Sequence, residues 1–106
     1  MSAPVFDLET IIAIGQQAGE LVQTMRRDGL RNVQDKSSVI DLVTEADVAS
    51  EKFIRAALYE HYPFVGFWGE ESNTAPHEEF FWLVDPIDGT TNYANGLPFY
   101  SINIGL

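Results

Sequence analysis

Two carboxylates three residues apart, Asp85 and Asp88, close an apolar run in WLVDPIDGTTNY (Trp82 to Tyr93). Carboxylates held about 4 Å apart repel by roughly 4 kcal/mol at an effective dielectric near 20. Such a pair shares a proton, stays solvated or binds a cation. Magnesium suits the last case, because it takes oxygen ligands and is commonly held by one or two carboxylates plus a substrate phosphate. The plain alternative for DPIDG is a polar turn, since Asp-Pro and Asp-Gly are ordinary turn formers. A second acidic group, GEES at Gly69 to Ser72, also follows an apolar run, FVGFW. If the two runs pair as neighbouring strands, Glu70 or Glu71 ends beside Asp85 and Asp88 at one sheet edge, where open α/β sheets place ligand-binding residues. Alone, GEES reads as a solvated loop. The third group is Gly89 to Thr91. A helix starting there presents backbone N–H groups and threonine hydroxyls to an anion, or uses Thr90 or Thr91 simply as its N-cap.

Composition limits the partners. The 106 residues suffice for one compact domain, and a hydrophobic content of 45% argues for a packed core. Sixteen acidic residues against six basic ones give a formal net charge of −10. That balance disfavours nucleic acid and anionic lipid, so a phosphate-bearing ligand needs positive charge from a metal. Cysteine is absent, which excludes disulfides, thiolate nucleophiles and zinc–sulfur sites. No stretch has the length of a membrane span. MSAPVFDLET carries no basic region and is interrupted by Asp7 and Glu9, so no signal peptide is expected and the cytoplasm is the default location.

The elements that must position these groups follow from periodicity. Leu8, Ile11, Ile12, Gly15, Ala18, Leu21, Val22 and Met25 recur at helical spacing, with Pro4 suited to the start, Arg26 and Arg27 to the C-terminal dipole and Gly29 to the stop. After a polar stretch, VIDLVT reads as a short extended segment. Thr44 with Asp47 fits a capping box opening a second helix that runs to Pro63, with Val48, Phe53, Ala56, Ala57 and Tyr59 on its spacing. FVGFWG and FFWLVD read as strands, the second apolar on both faces as if covered by helices on each side. TTNYANG reads as a short helix or turns, and LPFYSINIGL as a loop passing into a strand. His61 and His77 have no ligand-like spacing and read as surface or loop residues. Trp68, Phe80, Phe81 and Trp82 read as core.

GEES followed by WLVDPIDGTTNY and GLPFYSINIGL resembles the inositol monophosphatase family of metal-dependent, lithium-sensitive phosphatases, and DLVTEAD (Asp41 to Asp47) matches a further block of it. The resemblance runs from the first helix to Leu106. It implies an α+β layered sandwich, α-β-α-β-α, of the sugar-phosphatase or fructose-bisphosphatase kind, represented here by an N-terminal part with two long helices and part of the sheet. It also implies that Glu70, Asp85 and the Ile87 carbonyl hold one magnesium, and that Asp85 with Asp88 helps hold a second. Gly89, Thr90 and Thr91 would meet the substrate phosphate. Thr90, hydrogen-bonded to Asp47, would orient the attacking water, with Glu71 a supporting carboxylate. Inhibition by lithium, a small phosphorylated metabolite as substrate and a homodimer belong to the same implication.

Family members are longer and carry a Trp-Asp motif whose aspartate completes the second metal site. No such motif occurs in this sequence, and SINIGL ends at Leu106 within an apparent strand. Residues 1–106 are therefore expected to be a single N-terminal domain or a fragment, with weak second-metal binding and doubtful activity alone. Two rival readings stand beside the phosphatase. One is a catalytically inactive metal-binding or assembly module. The other is a haloacid-dehalogenase-type phosphatase, whose aspartates are two residues apart whereas Asp85 and Asp88 are three apart.

Overall fold

The computed structural model describes residues 5–30, 36–69, 76–94 and 100–106. Asp7 caps the first helix, α1 (Leu8–Leu30), accepting from the Glu9 backbone N–H at 3.2 Å and from the Thr10 hydroxyl at 2.8 Å. Such a cap is worth about 1 kcal/mol. Pro4 lies outside the described residues. Phe6, just before the cap, packs its ring 5.1 Å from Tyr62 and 5.4 Å from Trp82, and the Tyr62 hydroxyl accepts from the Asp7 N–H at 2.9 Å. The buried stripe of α1 is Ile14, Ala18 and Val22; Leu8 and Ile12, which share the apolar spacing, are exposed.

One helix, α2 (Lys36–His61), replaces both the extended VIDLVT segment and the helix expected from Thr44. Val39, Ile40, Val43 and Thr44 are β-branched and favour strand locally, but packing against α1 overrides that preference. Leu42 is buried over Gly29, where a Cβ would stand 2.5 Å from the Leu42 Cδ1. Gly29 thus makes a close contact in the last turn of α1, which ends one residue later at Leu30, where a stop is expected from the sequence. Thr44 and Asp47 lie inside α2, so they form no capping box. The buried side of α2 is Ala46, Ser50, Ile54 and Leu58, four residues apart like the stripe of α1, so i±4 ridges meet. Pro63 follows the last turn, which closes with the Tyr62 N–H donating to the Leu58 carbonyl at 2.7 Å.

Three strands form one sheet in the order β1 (Gly66–Trp68), β2 (Phe81–Asp88), β3 (Ser101–Gly105). β1 and β2 are parallel, with Trp68 opposite Leu83; β2 and β3 are antiparallel, with Val84 opposite Ile104. Trp82 and Val84 point into the core with Ile14, Ala18, Ile54, Leu58, Tyr62 and Val65. Leu83, on the other face, is 57% exposed. Among the described residues, helices cover one face of β2 and not both. The strand reads as continuously apolar because Phe81 and Leu83, alternating with the buried Trp82 and Val84, occupy the outer face. A five-residue helix, α3 (Thr90–Ala94), follows β2.

Candidate active site

Because β1 and β2 run parallel, their C-terminal ends emerge at the same sheet edge. Gly69 leaves β1 there, and Trp68, Gly69, Leu83, Val84 and Asp85 line an open depression of about 280 Å3. Gly69 is buried, and a Cβ on it would collide with the Glu51 carboxylate of α2. Glu70 and Glu71, next in sequence, lie outside the described residues.

The strand carrying the aspartates does not stop at Asp85. It continues through Pro86 and Ile87 to Asp88. In a regular strand, residues three apart point to opposite faces. Here Asp85 pairs with Asn103 but Asp88 pairs with Ser101, so three steps on β2 match two on β3. That bulge inserts one residue and returns Asp88 to the face of Asp85, because Asn103 and Ser101, two apart, share a face. Proline suits the site, having no N–H to give the ladder. Ile87 turns inward and is buried with Val22, Ala46 and Tyr93. Asp85 is half-buried and Asp88 exposed; the Asn103 Nδ2 donates to the Asp88 Oδ2 at 3.3 Å. Asn103 and Ser101 were not singled out from sequence, although their alternation with Ile102 and Ile104 was a readable signal of an outward polar face.

Gly89 has φ 87°, in the left-handed region that glycine occupies without a Cβ penalty, and it redirects the chain from β2 into α3. The Tyr93 N–H donates to the Gly89 carbonyl at 3.1 Å, closing the single turn that starts with Thr90 and Thr91. At five residues α3 has little cumulative dipole, so any anion here would be met by individual N–H groups and hydroxyls. Tyr93 ties α3 to α1: fully buried, it donates its hydroxyl to the Val22 carbonyl at 2.7 Å. Its ring stacks edge-on against Tyr100 at 5.1 Å, and the Arg26 guanidinium lies over both rings. Burial pushes the Tyr93 pKa up to about 12, with Tyr100 and Asp47 adding to the rise and Arg26 opposing it. Asp47, half-buried on α2, is thus close enough to α3 to be felt at Tyr93. His61 and His77 are exposed, as expected from their spacing.

The donors suit a hard cation. Asp85 and Asp88 offer carboxylate oxygens on one face, and among the described residues neither is paired with a cationic side chain. Among the described residues no group of three or more metal-ligating side chains occurs. The aspartate pair therefore needs a further donor, and Glu70 is the residue directly after Gly69.

Residues 6–106 match the model of the inositol monophosphatase family. The chain belongs to that family. Inositol monophosphatase 1 of Sus scrofa is 38% identical over 103 residues, covering 92% of this chain and 37% of the relative. Among solved structures, inositol monophosphatase-II from Staphylococcus aureus MSSA476 superposes with a TM-score of 0.76 at 31% identity, covering 92% of this chain and 36% of that one. A further structure, of SaIMPase-II, gives a TM-score of 0.70 at 29% identity over 92% of this chain and 33% of that chain. The chain thus spans about a third of the length of these relatives. Family membership replaces the haloacid-dehalogenase reading, and the two helices on a three-stranded sheet are the N-terminal α+β part of the inositol monophosphatase fold. No described helix is long and apolar enough to cross a membrane.

Proposed function

We propose that this chain carries the metal-binding and phosphate-binding half of a magnesium-dependent phosphatase that hydrolyses a small phosphate monoester with water. The observation that supports it most is the β2 bulge, which sets Asp85 and Asp88 on one face with no cationic side chain beside them among the described residues. The SaIMPase-II structure at 29% identity contains inositol monophosphate, and a small phosphorylated alcohol is the substrate class proposed here.

In this reading Glu70, Asp85 and the Ile87 carbonyl hold one magnesium, and Asp85 with Asp88 contributes to a second. When bound, magnesium lowers the pKa of water and offsets phosphate charge. The remaining work falls to the chain itself. The Gly89 and Thr90 N–H groups and the threonine hydroxyls of Thr90 and Thr91 orient the phosphate oxygens, and phosphoryl transfer asks mostly for such positioning. Asp47, placed inside α2 and so not needed as a helix cap, accepts from Thr90 and orders the attacking water through it. Glu71 supports the carboxylate next to it. Lithium inhibition, a homodimer and a cytoplasmic location complete the proposal; nucleic acid and membrane are not partners of a chain with net charge −10.

The test is magnesium-dependent release of inorganic phosphate by the full-length gene product, measured on inositol monophosphate and a panel of small phosphate esters. Asp85→Asn should reduce the rate by at least about a hundredfold, the upper end of effects seen when metal-supporting groups are removed. Unchanged magnesium-dependent turnover in that variant refutes the proposal. Magnesium binding with no turnover on any ester would favour the inactive metal-binding module.

A further inference from the structure

Ser50 lies in the middle of α2 and is fully buried, and its Oγ donates to the Pro86 carbonyl at 3.0 Å. Serine inside a helix commonly turns its hydroxyl back to the carbonyl one turn earlier. Here the hydroxyl instead reaches another element, at the bulged residue between Asp85 and Asp88. A bulge interrupts the ladder, and a buried carbonyl at such a point needs a partner. Ser50 is that partner. The next residue, Glu51, is also buried and sets its carboxylate against Gly69 at the end of β1. Consecutive residues of α2 therefore touch both strand ends from which the acidic residues leave.

We propose that Ser50 is a positioning residue for the metal site: by holding the Pro86 carbonyl it keeps the bulge in place and so keeps Asp85 and Asp88 on one face. A slip of one residue in this register would send Asp88 toward the helices. This proposal rests on the reading of Asp85 and Asp88 as magnesium ligands.

The experiment compares full-length protein, Ser50→Ala and the packing control Ile54→Val, whose side chain lies one turn further along α2 in the main core. Magnesium titration by calorimetry should give a dissociation constant raised about tenfold in Ser50→Ala, the scale seen when groups supporting metal ligands are removed. Ile54→Val should stay within about twofold of the unsubstituted protein. Without metal, backbone amide shifts of Ile87, Asp88 and Asn103 should move in Ser50→Ala and hold in Ile54→Val. Affinity unchanged in Ser50→Ala, a loss matched by Ile54→Val, or unmoved bulge amides overturns the proposal. If the unsubstituted protein takes up no magnesium, the functional reading falls, and the metal-free amide shifts still judge the Ser50 contact.

Discussion

Replacing Tyr93 by Phe removes one hydroxyl and nothing else from the joint between α3 and α1. The hydroxyl donates at 2.7 Å to the Val22 carbonyl in a fully buried setting. A neutral intramolecular hydrogen bond is worth about 1 kcal/mol net. Val22 lies inside α1, where its carbonyl is also an acceptor for the helix, so the loss should not climb to the full penalty of an orphaned group. The pH dependence follows from the pKa of Tyr93, which rises from 10.0 to about 12 in the fold, chiefly through burial. A raised pKa means that the unfolded chain ionises first. The tyrosine contribution is therefore complete below pH 10 and is lost as pH rises from 10 to about 12. Urea denaturation of the full-length protein and Tyr93→Phe at pH 7 and at steps up to pH 12 checks both parts. The variant should be less stable by about 1 kcal/mol at pH 7, and the gap should close above pH 10 as the native protein loses stability faster. A gap below roughly 0.3 kcal/mol at pH 7, or one constant through pH 12, refutes the assignment.

Two other substitutions probe the backbone that aims the site. Gly89→Ala places a Cβ at φ 87° and should cost about 1–2 kcal/mol, with a larger loss of magnesium-dependent turnover than of stability; a melting curve and a phosphate-release assay separate the two. Gly29→Ala pushes a Cβ against the Leu42 side chain, and with alanine's better helix propensity offsetting part of the crowding it should cost no more than about 1 kcal/mol in denaturant unfolding while leaving magnesium affinity unchanged, because the contact lies on the helix pair away from the sheet edge.

Much of the chemistry was legible because it sits in short local patterns. DPIDG after an apolar run, GEES after another and a glycine before two threonines each carry their meaning in adjacent residues. FVGFW and FFWLVD read as strands from their apolar runs, but their pairing as parallel neighbours is seen only in the sheet register. What sequence could not show is set by contacts far along the chain. VIDLVT reads as strand by its β-branched residues, yet Leu42 packing over Gly29 makes it helix. Asp47 reads as a capping residue only while the helix is thought to start at Thr44; once α2 is seen to begin at Lys36, that role disappears. Asp85 and Asp88, three apart, fall on opposite faces of any ideal strand, and only the register against Asn103 and Ser101 reveals the bulge that reunites them. Ser50 resembles any helix serine until Pro86 is found 36 residues away. Glu70 and Glu71 lie outside the described residues, so their part in the site still rests on the motif.

The central claim is that Asp85 and Asp88 share a bound magnesium. Its most direct test is calorimetric titration of magnesium into the full-length protein and into Asp85→Asn. Saturable binding is expected in the first, and in the second a dissociation constant raised at least about a hundredfold. Equal affinity in the two proteins would contradict it.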